Sequence, residues 1–443
     1  MASTRDMTEG RTFPIIFAFF IPVLGSTLCQ QLYNIVDTIV VGKGVGDMAL
    51  AAVGATGAIT FFMYGFIFGL GSGMGVLMSQ RFGAGDYNGL RKSITMGILT
   101  NGITGITIAL LGMIFMRSIL EALNTSELLM HDAMLYIIII LCGTPISLFY
   151  NCYAAILSSL GDSRTPLMAV LLSSGVNIVL DIVLVIVVGM GVEGAAIGTL
   201  LAQICAGVFC YIKVKSIEVA GISREDWIID TGVIKQMFSI GVPIAFMNSI
   251  TAIGVLVLQF FVNAFGVQYT AAYSAGGRIV EFAMQPCAAA GMSLSTFAGQ
   301  NLGAKKIDRI MRGLGDGVIL ASALAVISGI LLFFFPEQIV SRMLTDKEII
   351  ALAVPYLKIC GSMMWAISFL FLVRDTLQGM GKTFVPMLSG ILELIARVVV
   401  VFLFSESLGF KAIALSETAA WVGAFILNGV FLVIELKRLK RSF

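Results

Sequence analysis

Hydrophobic residues in this chain come in blocks of twenty or more, separated by short breaks of charged or turn-forming residues. About 20 consecutive apolar residues let a helix cross the roughly 30 Å of bilayer hydrocarbon. The pattern predicts spans near 13–41, 48–79, 93–116, 131–159, 167–188 and 193–212. It resumes near 236–264, 268–299, 312–335, 348–378, 387–407 and 410–434. Between the two sets lies VKSIEVAGISREDWIIDTGVIKQ, residues 214–236, the one long charged connector. The expectation is an all-α polytopic membrane protein of twelve transmembrane helices.

The two sets are copies. A shift of 220 residues pairs Gln80 with Gln300, Gly83 with Gly303, Tyr136 with Tyr356, Gly161 with Gly381 and Pro166 with Pro386. Matched loops carry more weight than scattered glycines: RFGAGD (81–86) answers NLGAKK (301–306), and GDSRTP (161–166) answers GKTFVP (381–386). Six spans per copy is an even number, so both copies enter from the same side and the repeats are parallel. The expected organisation is an N-terminal six-helix lobe (1–213), an inter-lobe linker (214–235) and a C-terminal six-helix lobe (236–443), around a central cleft. Lys and Arg concentrate in one set of alternate loops, together with Arg5, Arg11 and the tail KRLKR (437–441). By the positive-inside rule both termini are expected in the cytoplasm.

Composition agrees with this picture. The chain is 58% hydrophobic and 12% charged, against about 25% charged for a soluble domain. Its seven cysteines sit singly in apolar blocks without metal-ligand spacing, which argues against a zinc site or disulfide framework. The N-terminus lacks a signal-peptide pattern, so the first apolar block is expected to remain as a span. GLGSGMG (69–75) has no preceding strand and no phosphate-binding lysine, and reads as close helix packing. One histidine and no metal motif weigh against a membrane enzyme, and no ring of charge points to a channel.

Polar residues inside the spans carry the chemistry. In QQLYNIVDTIVVG (30–42), Gln30, Tyr33, Asn34 and Asp37 fall at i, i+3, i+4 and i+7, on one helical stripe. An aspartate at mid-bilayer costs about 3 kcal/mol, and no base lies nearby in sequence. The fifth span places Ser173, Asn177 and Asp181 on one stripe; the sixth places Thr199 and Gln203 one turn apart. At 1.5 Å per residue, Asp37 lies about 7 Å below the outer end of its helix, Asp181 about 12 Å and Thr199 about 10 Å. Three helices thus present oxygen ligands at similar depth. Lone amides and hydroxyls ordinarily bridge helices, but two acids without a base suit a hard cation such as Na⁺, or a shared proton.

The second half looks different. Its intramembrane acids have bases close in sequence: Arg278 with Glu281, Arg374 beside Asp375, and Glu393 four residues before Arg397. The last two are expected to pair structurally; adjacent Arg374 and Asp375 are expected to point apart. At the repeat shift Asn177 becomes Arg397 and Asp181 becomes Val401.

With these residues in view, the chain resembles the multidrug and toxic compound extrusion (MATE) transporters. The carriers are QQLYNIVDTIVVG, RFGAGD, YNCYAAILSSLGDSRTP (150–166), VNIVLD (176–181) and GAAIGT (194–199). The resemblance implies two six-helix bundles about a cleft and export of cationic or amphipathic compounds in exchange for Na⁺ or H⁺. It implies a cation site at Asp37, Asn177, Asp181 and Thr199. It implies a substrate cavity lined by Gln30, Tyr33, Tyr136 and Asn151, and Asn34, on the same stripe as Tyr33, is expected to line it too. No cofactor beyond the coupling ion and no nucleic-acid partner is implied; the expected form is a monomer in the lipid of the plasma membrane. The same superfamily contains flippases for lipid-linked precursors, which stand as the alternative. Where many relatives have proline after the second aspartate this chain has Ile182, so a straighter fifth helix is expected.

Overall fold

The computed structural model describes residues 4–122 and 125–442. Every regular element among them is helical. The order is α1 (Thr12–Gly44), α2 (Asp47–Gly83), α3 (Tyr87–Ala122), α4 (Glu127–Cys142), α5 (Thr144–Ser159), α6 (Arg164–Asp181) and α7 (Val192–Lys215). It continues with α8 (Thr231–Phe265), α9 (Val267–Gly303), α10 (Ile307–Phe334), the short α11 (Pro336–Val340), α12 (Lys347–Ser362), α13 (Met364–Gly379), α14 (Phe384–Leu408) and α15 (Lys411–Ser442).

Nine of these helices are long and apolar enough to cross a membrane. Two bent pairs, α4 with α5 at 44° and α12 with α13 at 48°, each make one further span. Helix α9, 37 residues long, completes twelve. It is less apolar than the others because Arg278, Glu281, Gln285 and many small residues occupy it. Large apolar side chains point outward all along the helices, among them Ile114, Phe260 and Phe402. In water such a surface would aggregate; in lipid it is the ground state.

The repeat is visible in the backbone. Four pairs of positions 220 residues apart share a positive φ: Gly46 and Gly266, Gly85 and Lys305, Gly161 and Gly381, Gly189 and Gly409. Lys305 is informative, because a side chain at φ 59° is disfavoured, yet the loop keeps the conformation its glycine twin adopts freely.

Two compact units divide the chain. One holds Met1–Asp6 with Ile21–Gly241; the other holds Met7–Phe20 with Val242–Phe443. The connector after α7 therefore packs within the first unit, and the start of α1, Thr12–Phe20, within the second. In the first unit a buried apolar cluster of Met116, Leu120, Ile137, Ile140 and Leu141 supports the inner faces of α3 and α4. In the second, Leu258, Tyr273, Tyr356, Leu357, Ile413 and Trp421 form the larger core.

Candidate cation site and a buried ion network

Helices α1, α6 and α7 converge in the first unit. Asp181 and Asn177 are fully buried at the end of α6, and Asp37 is partly buried on α1. The Asp37 and Asp181 carboxylates come within hydrogen-bonding reach of each other. Two carboxylates hold that contact only if a proton or a cation lies between them. Asp37 Oδ1 is buried and has no hydrogen-bond partner among the described residues. No Lys, Arg or His pairs with either acid among the described residues.

Neighbouring groups fix this arrangement. With its amide turned to satisfy both sides, Asn177 donates to Asp181 Oδ2 at 2.8 Å and accepts from the Thr199 N–H at 3.2 Å. Tyr33 OH lies 3.3 Å from Thr199 Oγ1. Close approach of α7 requires Gly198: a Cβ there would stand 2.6 Å from Asp181 Oδ1. The backbone after Asp181 is irregular, because residues Ile182–Val187 form a π-helical segment. The segment continues the span of α6 through Val187, and π-bulges inside α-helices often mark functional positions.

Of the other residues expected at a substrate cavity, Tyr136 lies within electrostatic range of Asp37 and Asp181, with Tyr33 and Tyr64. Asn151 donates one amide N–H to the Ser147 carbonyl at 2.8 Å, within α5. Gln30 and Asn34 share the stripe with Tyr33 and Asp37 but are exposed. Gln203 does not join Thr199; it accepts from the Ser147 hydroxyl, beside Tyr64. Sequence reasoning missed Tyr64, Ser147 and Gly198. A lone tyrosine or serine in an apolar span carries no signal of its own, whereas Gly198 stands in GAAIGT and could have been read as a contact point.

The second unit has a denser charge network. Arg397 Nη2 donates to Glu393 Oε2 at 3.3 Å, and both residues are buried. Arg374 reaches Glu393 Oε1 at 4.0 Å and Asp375 Oδ1 at 3.5 Å. The last contact corrects the expectation that neighbours 374 and 375 point apart: a long guanidinium can fold back, and its plane also lies 4.7 Å over Phe371. Glu417, absent from the sequence reading, accepts from Tyr273 at 3.1 Å and Tyr356 at 3.2 Å, with Arg397 in electrostatic range. A Cβ on Gly254 would stand 2.8 Å from Arg397 Nη1, so that glycine gives the guanidinium its room.

Two segments of the chain, residues 22–183 and 243–403, each match the MatE family model, one match per repeat. The chain belongs to the MatE family. It is 26% identical over 360 residues to a probable multidrug resistance protein, YoeA, of Bacillus subtilis, covering 79% of this chain and 77% of that one. It is 27% identical over 333 residues to an FAD transporter of Shewanella oneidensis, covering 72% and 71%. Its fold superimposes with a TM-score of 0.93 on an outward-facing multidrug resistance MATE transporter of the MOP superfamily, at 22% identity and 99% coverage of both chains. The resemblance noted from sequence motifs thus holds across the whole chain. This MatE chain is an integral membrane protein of a transporter family, not an enzyme.

Proposed function

We propose that this chain is a cation-coupled exporter of cationic or amphipathic organic compounds, working by alternating access as a monomer in the plasma membrane with both termini cytoplasmic. The observation that carries the reading is the facing pair Asp37 and Asp181, buried with no base and bracketed by Asn177, Thr199 and Tyr33. Its two carboxylates cannot both stay charged and empty in low dielectric, so the site takes up H⁺ or Na⁺. Oxygen ligands from carboxylates, a hydroxyl and a phenol fit either ion as a transported species.

Uptake or loss of that cation changes the contacts of α1, whose Pro22 lies well before Asp37 in the same helix. Substrate and cation then compete, and linkage requires each to weaken the other by one common factor, typically about 5- to 150-fold. The test is reconstitution in liposomes, with a ΔpH and a Na⁺ gradient imposed separately while uptake of a cationic dye is followed. The expected result is uptake driven by one of the two gradients. Indifference to both sinks coupled antiport.

A second reading, transport of an anionic dinucleotide, is favoured by the named FAD transporter among the relatives. The same vesicles answer it: FAD is fluorescent, and its gradient-driven movement in place of the dye's would replace the substrate class. The lipid-linked flippase reading has less support, because the membrane-embedded site of the first unit is acidic.

A further inference from the structure

The start of α1 is held within the second unit by a short strap, Met7–Arg11. Met7 is fully buried, and its N–H donates to Gln300 Oε1 at 2.9 Å. Lys306 donates to the Thr8 carbonyl at 2.9 Å. Arg309 spends its guanidinium on the carbonyls of Gly10 (2.6 Å), Met7 (3.0 Å) and Glu9 (3.1 Å). These bonds seat Arg11 beside Arg312 at the mouth of a cavity of about 490 Å³, lined also by Thr12, Phe13, Arg309 and Asp316.

The first unit shows what is missing there. Its connector packs in the same way on the start of α3, through Arg91 to the Val219 carbonyl and Thr95 to the Asp226 carbonyl. It ends in Asp230, directly before the first residue of α8. One oxygen of Asp230 accepts from the N–H groups of Gly232 (2.9 Å) and Val233 (3.1 Å), and the other from Lys92 at 3.3 Å. The repeat shift carries Lys92 onto Arg312. The same shift carries Asp230 onto Gly10, which has no side chain, and the residue directly before α1 is Arg11. The carboxylate that stands between a basic side chain and the helix start in the first unit has no counterpart here, and a second guanidinium adjoins the helix start instead.

Three arginines therefore line the space against one acid. That acid, Asp316, accepts the Thr12 hydroxyl. Neither Arg11 nor Arg312 makes a hydrogen bond or ion pair among the described residues, and Arg309, committed to the strap, still contributes its charge. Beyond the mouth, the rings of Phe13 and Phe17 stack at 5.8 Å with exposed faces along the membrane-spanning helix.

We propose that this cavity binds a phosphate-bearing anion, the headgroup of an anionic phospholipid, whose phosphate takes the place Asp230 fills in the first unit and whose acyl chain follows Phe13 and Phe17. Guanidinium groups suit phosphate by charge and by bidentate geometry. The headgroup would then hold the start of α1 to the second unit.

The test uses the full-length protein in nanodiscs of phosphatidylcholine, with and without phosphatidylglycerol, and in phosphatidylcholine with added inorganic phosphate. Retained lipid is counted by native mass spectrometry and melting temperature is followed alongside. Phosphatidylglycerol is expected to be enriched on the wild type and to raise its melting temperature, while inorganic phosphate does neither. Arg11→Gln and Arg312→Gln should each weaken that enrichment about fivefold, the worth of one basic residue at an anionic surface. Arg11→Asp, which rebuilds the pairing of the first unit, should melt as high without phosphatidylglycerol as the wild type does with it. Equal enrichment on wild type and the double glutamine variant overturns the site. A full shift with inorganic phosphate alone overturns the lipid as its occupant.

Discussion

At position 177 the first unit has an asparagine flanked by two acids and no base. At the matching position the second unit has Arg397, with Glu393 one turn before it and Glu417 nearby. Both places collect oxygen ligands from three or four helices, and both use a glycine to admit the charged group, Gly198 for Asp181 and Gly254 for Arg397. The difference is that the second place carries its cations covalently and the first has none among the described residues. A tethered guanidinium cannot leave, so Arg374 and Arg397 always offset two of the three acids Glu393, Asp375 and Glu417. The two acids of the first place have no such partner, and that deficit is what the proposed coupling ion would act upon.

The largest expected effect comes from erasing the deficit. Asp37→Asn or Asp181→Asn should abolish gradient-driven dye export while leaving expression and melting temperature unchanged or raised, since an uncompensated buried charge is removed. Normal export from either variant at matched expression breaks the comparison at its root. The reverse pattern is expected in the second unit. Arg397→Met leaves Glu417 without its cation and Glu393 with only the more distant Arg374, and should cost about 3–5 kcal/mol of stability. Adding Glu393→Leu to that variant should recover part of the loss, as read by denaturation in detergent. Export lost without any loss of stability would mean the network works as a site and not as a brace.

Thr199→Ala should act on the first site more gently. It removes one neutral ligand worth ~1 kcal/mol, so apparent cation affinity should fall about fivefold with maximal export retained. The smallest effect is expected outside the membrane, at Asp230. The N–H of Val233, then Lys92 and the N–H of Gly232, hold its carboxyl below the usual carboxylate range. Its folded form is thus the more acidic one. The stability it contributes is present above the unfolded carboxylate range and fades as pH falls through the lowered value. Asp230→Ala should lower the melting temperature slightly at neutral pH and leave it unchanged in acid. An equal drop at both pH values would assign the effect to packing.

Much of this contrast is legible in the sequence, and the reasons are physical. An aspartate inside an apolar run is conspicuous, and helical spacing places Asp37, Asn177, Asp181 and Thr199 at comparable depth before any coordinates exist. Glu393 and Arg397 announce their pairing by four-residue spacing. Tyr64 and Ser147 are silent because tyrosine and serine are ordinary in spans, and Glu417 because its partners, Tyr273 and Tyr356, are remote in sequence. The π-helical stretch Ile182–Val187 is invisible for another reason: an apolar run has the same composition whether its backbone bonds run to i+4 or i+5. Nor does contiguity reveal tertiary allegiance. Nothing in MTEGRTFPIIFAFF (7–20) says that it packs with residues two hundred positions away.

The bends between α4 and α5 and between α12 and α13 fall at Gly143 and Met363, 220 residues apart. In the first copy the break is followed by Thr144 and Pro145, residues that explain a kink unaided. In the second copy the corresponding residues are Met364 and Trp365, which explain nothing. The two copies share a bend although only one of them carries residues that encode it locally. In both, close packing adjoins the bend, with Gly143 against Leu200 and Gly361 against Leu332. A kink held by its neighbours does not depend on a proline of its own.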